Sequence, residues 1–286
     1  MSAQLQRAPT QDVVMADQEF KRIASIIHRE AGICITDNKR SLAFSRLSKR
    51  LKALHLTSFS DYCDLVESRD GADEQLNMVA ALTTNVTSFF REPHHFKTLQ
   101  EDVLPPLIAR AREGGRVRIW SAGCSNGQEP YSIAMTVLGM ASDMLSRDFK
   151  VLATDIDPFV LRHAKGGVYP EAAIDLVPAE LKNKFLTRGG DKDDPQWTVG
   201  PEPRRMVTFN RLNLMGNWPM KGPFDIIFCR NVVIYFDDPT KDKIWGQYAS
   251  LLNPDGYLFI GHSERLSGPA SSLFQSEGIT TYKKTV

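Results

Sequence analysis

The stretch Val117-Arg118-Ile119-Trp120-Ser121-Ala122-Gly123-Cys124-Ser125-Asn126-Gly127-Gln128-Glu129-Pro130-Tyr131-Ser132 decides the fold. Its opening is a short apolar run that reads as a strand. Glu129-Pro130-Tyr131-Ser132-Ile133 then starts a helix, with Pro130 in the first turn, where a missing N–H is no loss. A strand that ends in a glycine turn and feeds a helix is where doubly wound parallel sheets hold ligands. The glycine spacing narrows the ligand. A dinucleotide fold needs G-x-G-x-x-G so that backbone amides can approach a pyrophosphate, and Gly123-Cys124-Ser125-Asn126-Gly127 lacks that pattern. Two acids follow instead: Glu129 at the helix start, and Asp155 closing the next strand in Ala153-Thr154-Asp155-Ile156-Asp157. An acid after the second strand can accept hydrogen bonds from both hydroxyls of a ribose, and an acid beside the turn can pair with an ammonium. S-adenosylmethionine offers both groups, so Gly123, Glu129 and Asp155 are read as cofactor-binding. The plainer alternative gives Glu129 to the helix dipole and makes Asp155 a cap.

Working outward, further apolar runs at Lys150 to Thr154, Met206 to Asn210, Phe224 to Cys229 and Tyr257 to Gly261 alternate with helical stretches. This predicts an α/β domain with a mostly parallel sheet covered on both faces. The segment from Gly166 to Pro203 breaks the rhythm with Gly, Asp, Pro and Lys around Trp197, and reads as an insertion. No strand is needed before residue 115. Asp17 is placed as an N-cap, with Phe20, Ile23, Ile26 and Ile27 on one helix face and Gly32 ending the helix. A second helix is expected from Lys39 to Leu54 with Leu47, Leu51 and Leu54 inward. A third starts near Ser58, and a fourth runs from about Asp73 to Leu82. Residues 1 to 16 read as a flexible tail.

Bulk properties exclude several function classes. The 286 residues are 42% hydrophobic, enough for two cored domains, and 35 Lys plus Arg against 34 Asp plus Glu leave no global field toward nucleic acid or anionic membrane. Cys34, Cys63, Cys124 and Cys229 are scattered, with no C-x-x-C pair for zinc or redox chemistry, and read as reduced thiols. No apolar run approaches the roughly 18 residues of a membrane span. The expectation is a soluble, cytoplasmic protein.

Two further motifs flank the turn: Ala81-Leu82-Thr83-Thr84-Asn85-Val86-Thr87-Ser88-Phe89-Phe90-Arg91-Glu92 upstream, and Phe228-Cys229-Arg230-Asn231-Val232-Val233-Ile234-Tyr235-Phe236 downstream. With them the chain, from Phe20 to Tyr282, closely resembles the CheR family of chemotaxis-receptor methyltransferases. The resemblance implies an all-helical N-terminal domain (17–78) and a linker contributing to the cofactor site (79–93). A Rossmann-like S-adenosylmethionine methyltransferase domain (94–286) follows, with a small antiparallel β-subdomain inserted at about 166–205. It implies methylation of glutamate side chains on the cytoplasmic helices of bacterial chemoreceptors, giving glutamyl methyl esters for sensory adaptation and S-adenosylhomocysteine as by-product. Carried over by position, the family's cofactor contacts fall on Asn85, Thr87, Arg91, Glu129, Asp155, Asn213, Leu214, Asn231 and Val232. Asn126 and Gln128 depart from the commonest family turn, which has Thr and Glu at those places.

The implied chemistry asks little of the enzyme. A glutamate side chain free in water titrates near about 4.3 and is ionised at neutral pH, so no general base is required, and alignment in a dry site remains. Arg91 and Tyr235 are the candidates for holding the acceptor carboxylate. His94 and His95 are read as structural and no metal is expected, because no Cys, Asp or Glu lies at ligand spacing and the chemistry needs neither a metal nor an acid–base pair; His262 could line the pocket edge without joining the catalytic set. Lys39, Arg46, Lys49 and Arg50, on a helix that also carries Arg40 and Lys52 and no acid, are the candidate substrate-binding residues for an acidic receptor helix. The implied partners are chemoreceptor cytoplasmic domains, with a receptor C-terminal tail peptide at the β-subdomain. Neither nucleic-acid binding nor membrane insertion is expected, and the chain is expected to act as a monomer recruited to receptor arrays. Two other readings stay open on the residues alone: a nucleic-acid amino-methyltransferase, since Asn231 to Tyr235 distantly resembles base-holding loops, and a catalytically silent cofactor-sensing or receptor-binding module.

Overall fold

The computed structural model describes residues 13–285, so the expected tail lies outside the described residues as far as residue 12. The chain divides between Thr83 and Thr84 into two compact units. The first is built from α1 (Asp17–Ala31), α2 (Arg40–Ala53), α3 (Phe59–Glu67) and α4 (Ala72–Leu82). Phe20, Ile23, Ile26 and Ile27 of α1 are all buried, as their spacing requires, and Gly32 ends the helix in the left-handed conformation with its N–H on the His28 carbonyl. The cap at the other end differs from expectation. Asp17 is the first helical residue, Ala16 takes the cap position, and the Glu19 carboxylate accepts the Ala16 amide at 2.6 Å. A short 3-10 turn at Asp37–Lys39 delays α2 to Arg40, and Leu54, expected inward, is half-buried just past its end. The linker expected from residue 79 starts later, because α4 continues to Leu82 and buries Met78, Val79 and Leu82 in this unit's core.

Two of the four candidate substrate-binding side chains are occupied within this unit. Buried Glu74 accepts Arg50 Nε at 2.9 Å and Nη2 at 2.6 Å, and also the Tyr62 hydroxyl at 2.9 Å and Asn77 Nδ2 at 3.1 Å. Arg46 donates to the carbonyls of Ala81 at 3.2 Å and Thr83 at 2.7 Å, satisfying acceptors that the end of α4 leaves over. Lys49 is exposed and Lys39 is half-buried.

The second unit opens with α5 (Pro93–Thr98), which runs through a wider turn at 99–103 into α6 (Leu104–Arg112). There follow β1 (Val117–Ala122), α7 (Gln128–Met140), β2 (Phe149–Asp155), α8 (Pro158–Gly166), β3 (Val168–Pro170), α9 (Ala179–Phe185), β4 (Leu186–Gly190), β5 (Pro195–Val199) and α10 (Pro201–Met206). The chain then forms β6 (Val207–Arg211), β7 (Phe224–Cys229), α11 (Asp238–Leu251), β8 (Leu252–Ile260), β9 (Phe274–Gly278) and β10 (Thr281–Lys284). The large sheet has the order β6-β2-β1-β7-β8-β10-β9, parallel from β6 to β8 and antiparallel over the last two strands. This is the expected Rossmann-like fold. Every residue of β7 is buried, which is why it reads as a continuous apolar run rather than an alternating one. The insertion is a separate antiparallel sheet of order β3-β5-β4.

Strand register puts the site where it is. Ala122 pairs with Thr154, Asp155 with Arg211, Ser121 with Phe228 and Cys229 with Ile260, so the carboxyl ends of all five parallel strands open on one edge. Strand order reverses at β1, between β2 on one side and β7 on the other, and that reversal leaves a crevice.

Candidate active site

Gly123 sits at the reversal with φ +82°. A Cβ on it would lie 2.3 Å from Val232 Cγ2, so only glycine lets the turn after β1 touch the loop after β7. The amides of Gly123 and Cys124 both donate to the Thr154 carbonyl, which ties the turn to β2. Ser125 takes a positive φ of 48° and donates its amide to Asp155 Oδ2 at 2.8 Å, while Asp155 Oδ1 accepts the Asp157 amide at 3.0 Å. Each carboxylate oxygen keeps lone pairs free for a ligand hydroxyl. Burial pushes the Asp155 carboxyl up to about 6, although both backbone amides pull it down. Asp157, rather than Asp155, caps α8, accepting the amides of Phe159 and Val160. Asp155 is thereby left for another task. Gly127 ends the turn, and the Tyr169 hydroxyl from β3 donates to the Asn126 carbonyl at 2.6 Å, so the inserted sheet buttresses the turn from behind.

Glu129 is buried at the start of α7. It accepts Ser121 Oγ at 2.7 Å and Arg230 Nη1 at 3.1 Å, and burial raises its carboxyl despite that guanidinium. Arg230 is itself 2% exposed. It also donates to the Arg91 carbonyl and lies 3.5 Å from Glu92, whose other oxygen receives the His262 amide at 3.2 Å and faces His262 Nδ1 at 2.9 Å. One buried arginine thus joins the first helix after the turn to the Asn85–Glu92 segment. That segment is also held by Ser125 Oγ on the Asn85 carbonyl at 3.0 Å, Asn85 Nδ2 on Asp157 at 2.9 Å, and the Phe90 amide on Ser132 Oγ at 3.0 Å.

Comparison with known proteins agrees with this geometry. Residues 18–83 match the family model for the CheR methyltransferase all-alpha domain, and residues 85–283 match that for the CheR methyltransferase SAM binding domain. The chain is 51% identical over 260 residues to a probable chemotaxis protein methyltransferase of Rhizobium etli, covering 91% of this chain and 97% of that protein. It is 41% identical over 277 residues to a chemotaxis protein methyltransferase of Escherichia coli, covering 96% and 93%. The chain belongs to the CheR methyltransferase family.

A CheR methyltransferase uses S-adenosylmethionine, and the donor-hungry character of this site fits that molecule. Two buried carboxylates, both destabilised in the charged form by burial, suit a ligand that brings an ammonium, a diol and a sulfonium charge. Among the positions read from the sequence, Gly123, Val232, Glu129, Asp155, Asn85 and the Arg91 backbone are joined by the contacts above. Asn213 and Leu214 follow β6, whose end is tied to Asp155 by the Leu212 amide on the Asp155 carbonyl at 3.0 Å; Asn213 Oδ1 accepts the Met215 amide at 2.9 Å. Asn231 holds a positive φ of 59° and packs on Gly261. Thr87 is half-buried in the upstream segment. Arg91 is half-buried as a residue and its guanidinium donates to the Val86 carbonyl at 3.1 Å at the surface, and Tyr235 closes a 3-10 turn at Val233–Tyr235. Gln128 is buried at the first position of α7.

Sequence reasoning misses two residues that shape this edge. Arg230 stands in the sequence only as one member of a motif. Glu264, 3% exposed, accepts the amides of Asn231, Val232, Val233 and Gly261 at 2.6 to 3.0 Å and so fixes the whole loop after β7. Its signal in the sequence is an acid four residues past the end of an apolar strand, in Gly261-His262-Ser263-Glu264. His95 is completely buried, and burial together with Arg230 pulls its imidazole down to about 3, in keeping with a neutral ring. Among the described residues, no helix is long and apolar enough to cross a membrane.

Proposed function

We propose that this CheR methyltransferase esterifies glutamate side chains on the cytoplasmic helices of bacterial chemoreceptors, forming γ-glutamyl methyl esters for sensory adaptation, with the cofactor held by Asn85, Thr87, Arg91, Gly123, Glu129, Asp155, Asn213, Leu214, Asn231 and Val232. The observation that carries the choice of acceptor is the state of the acids. Asp155 and Glu264 are engaged by backbone amides, Glu129 by Ser121 and Arg230, and Glu92 by His262. These acids already bond to amides, hydroxyls or cations of the protein itself, which suits a nucleophile that arrives ionised and needs no general base. S-adenosylmethionine supplies an electrophilic methyl group on a cationic sulfur. Asp155 would hold the ribose hydroxyls and Glu129 the ammonium, while Arg91 and Tyr235 would donate to the acceptor carboxylate and orient one lone pair toward the methyl. A guanidinium held by a backbone carbonyl, as Arg91 is by Val86, retains donors for this purpose.

Receptor docking would use the exposed Lys49 and Lys52 of α2, with Lys39 nearby, since Arg46 and Arg50 are used within their own unit. The edge strand β4, exposed from Thr187 to Gly190, would add a receptor tail peptide as a further strand. The enzyme would work as a cytoplasmic monomer recruited to receptor arrays. Incubation with methyl-labelled S-adenosylmethionine and receptor cytoplasmic fragments tests the acceptor. Label on receptor that mild alkali releases as methanol supports a glutamyl ester. Alkali-stable label, or label in nucleic acid, contradicts it and favours amino-methylation.

A further inference from the structure

Sequence spacing gives His94 and His95 no acid to share a metal with, yet the fold brings Glu92 against both. His95 Nε2 lies 3.2 Å from the Ile279 carbonyl and 2.9 Å from Thr280 Oγ1. A carbonyl only accepts, so Nε2 carries the proton and Nδ1 presents a lone pair. That lone pair faces Glu92 Oε2 at 3.4 Å, where the His95 side chain is 0% exposed and the Glu92 side chain 9%. Neither atom has a hydrogen-bond partner, and His94 Nε2 is a third buried atom without one. The ligand atoms of Glu92, His94 and His95 lie within 4.8 Å of one another. Two acceptors facing each other in a dry interior repel, and the nearest cation, Arg230, stands 3.5 Å from the Glu92 oxygen with its charge shared with Glu129.

We propose that Glu92, His94 and His95 form a binding site for a divalent transition-metal ion of the zinc class. Tetrahedral zinc with bonds of about 2.0 to 2.1 Å sets its ligand atoms roughly 3.3 Å apart. The Glu92–His95 pair already has that separation. The half-buried His94 ring closes the remainder by rotating. Two imidazoles and one carboxylate select zinc or its neighbours over magnesium and calcium, which prefer all-oxygen shells. The Ile279 carbonyl on His95 Nε2 is the outer hydrogen bond that fixes a ligating imidazole in the right tautomer. Arg230 stands 3.5 Å from Glu92 Oε2, but its charge is offset by Glu129 at 3.1 Å, so Glu92 keeps its own charge for the ion. With three protein ligands, one coordination position stays open to water.

The test is metal binding itself, which reads out independently of methyl transfer. Full-length protein stripped with a chelator is titrated with Zn²⁺ in competition with a chromophoric chelator, and separately with Co²⁺. The expected result is one equivalent bound with a Kd of about 10 µM or tighter, weakened at least about tenfold in His94→Gln and in Glu92→Gln. Thermal unfolding of each variant near that of the parent shows that the loss is local. Bound Co²⁺ should show visible bands of a nitrogen and oxygen site with no thiolate charge-transfer band, a readout that needs no variant. Absence of stoichiometric binding, a thiolate band, or unchanged affinity in folded His94→Gln overturns the proposal.

Discussion

On the proposed ribose contact, replacing Asp155 by alanine would remove the acceptor for both ribose hydroxyls, and the size and pH dependence of the loss can be worked from the structure. Hydrogen bonds to a charged acceptor contribute about 1.5 to 3 kcal/mol each. Two of them make roughly 3 to 6 kcal/mol, or about a hundred- to ten-thousand-fold in Kd. Burial raises the Asp155 carboxyl to about 6 in the ligand-free protein, whereas the bound diol donates to the ionised form. Binding therefore weakens as pH falls through 6, and the factor 1 + 10^(6 − pH) gives about a tenfold rise in Kd between pH 7 and pH 5. The sign for stability is the opposite. A carboxyl whose folded pKa lies above its unfolded value of 3.8 contributes stability that is full below pH ~4 and lost as pH rises through ~6. The shift corresponds to roughly 3 kcal/mol at most. Titration calorimetry with S-adenosylmethionine at pH 5 and pH 7 on both proteins measures all of this. The variant should bind at least about a hundredfold more weakly at pH 7 and with a shallower pH slope, the remainder belonging to Glu129. Equal affinity in Asp155→Ala at pH 7, or a flat profile in the parent, refutes the ribose assignment.

Arg91→Ala should slow methyl transfer by about a hundredfold or more while changing cofactor Kd far less, because of its two proposed contacts the one to the acceptor carboxylate is made at the reacting centre; single-turnover rates beside calorimetry separate the two. Arg230→Met leaves Glu129 buried without its cation and the Arg91 carbonyl without its donor. It should lower stability by about 3 to 5 kcal/mol, read as a drop in urea midpoint, and addition of S-adenosylmethionine should restore part of that loss by pairing its ammonium with Glu129.

The elements that bury a face by themselves are readable in advance. Phe20, Ile23, Ile26 and Ile27 repeat at helical spacing, β1, β2 and β7 are short apolar runs buried over most of their length, and β6 keeps the alternation of buried Val207 and Phe209. The acids Glu129 and Asp155 are readable because strand ends in such sheets carry ligands. Pairing across the chain is not. Arg230 meets Glu129 from 101 positions away, and Arg50 meets Glu74 from 24, so a basic helix that looks like a free docking face has committed three of its charges, Arg40, Arg46 and Arg50, to its own unit. The strand β9 is invisible for another reason. Four of its five residues are exposed, so it carries no alternation to recognise. Glu92 escapes a sequence reading because its backbone takes a positive φ of 57°, which turns the chain just before α5 and defeats spacing rules drawn for regular helices.

The most direct test of the central claim, that the acids at the start of α7 and the end of β2 are the cofactor's anchors, is a crystal structure of the protein with S-adenosylhomocysteine. The ribose hydroxyls should lie within hydrogen-bond distance of Asp155 and the ammonium within that of Glu129, in the crevice where Gly123 meets Val232. A nucleoside bound elsewhere, or one in that crevice with its hydroxyls turned away from Asp155, would contradict it.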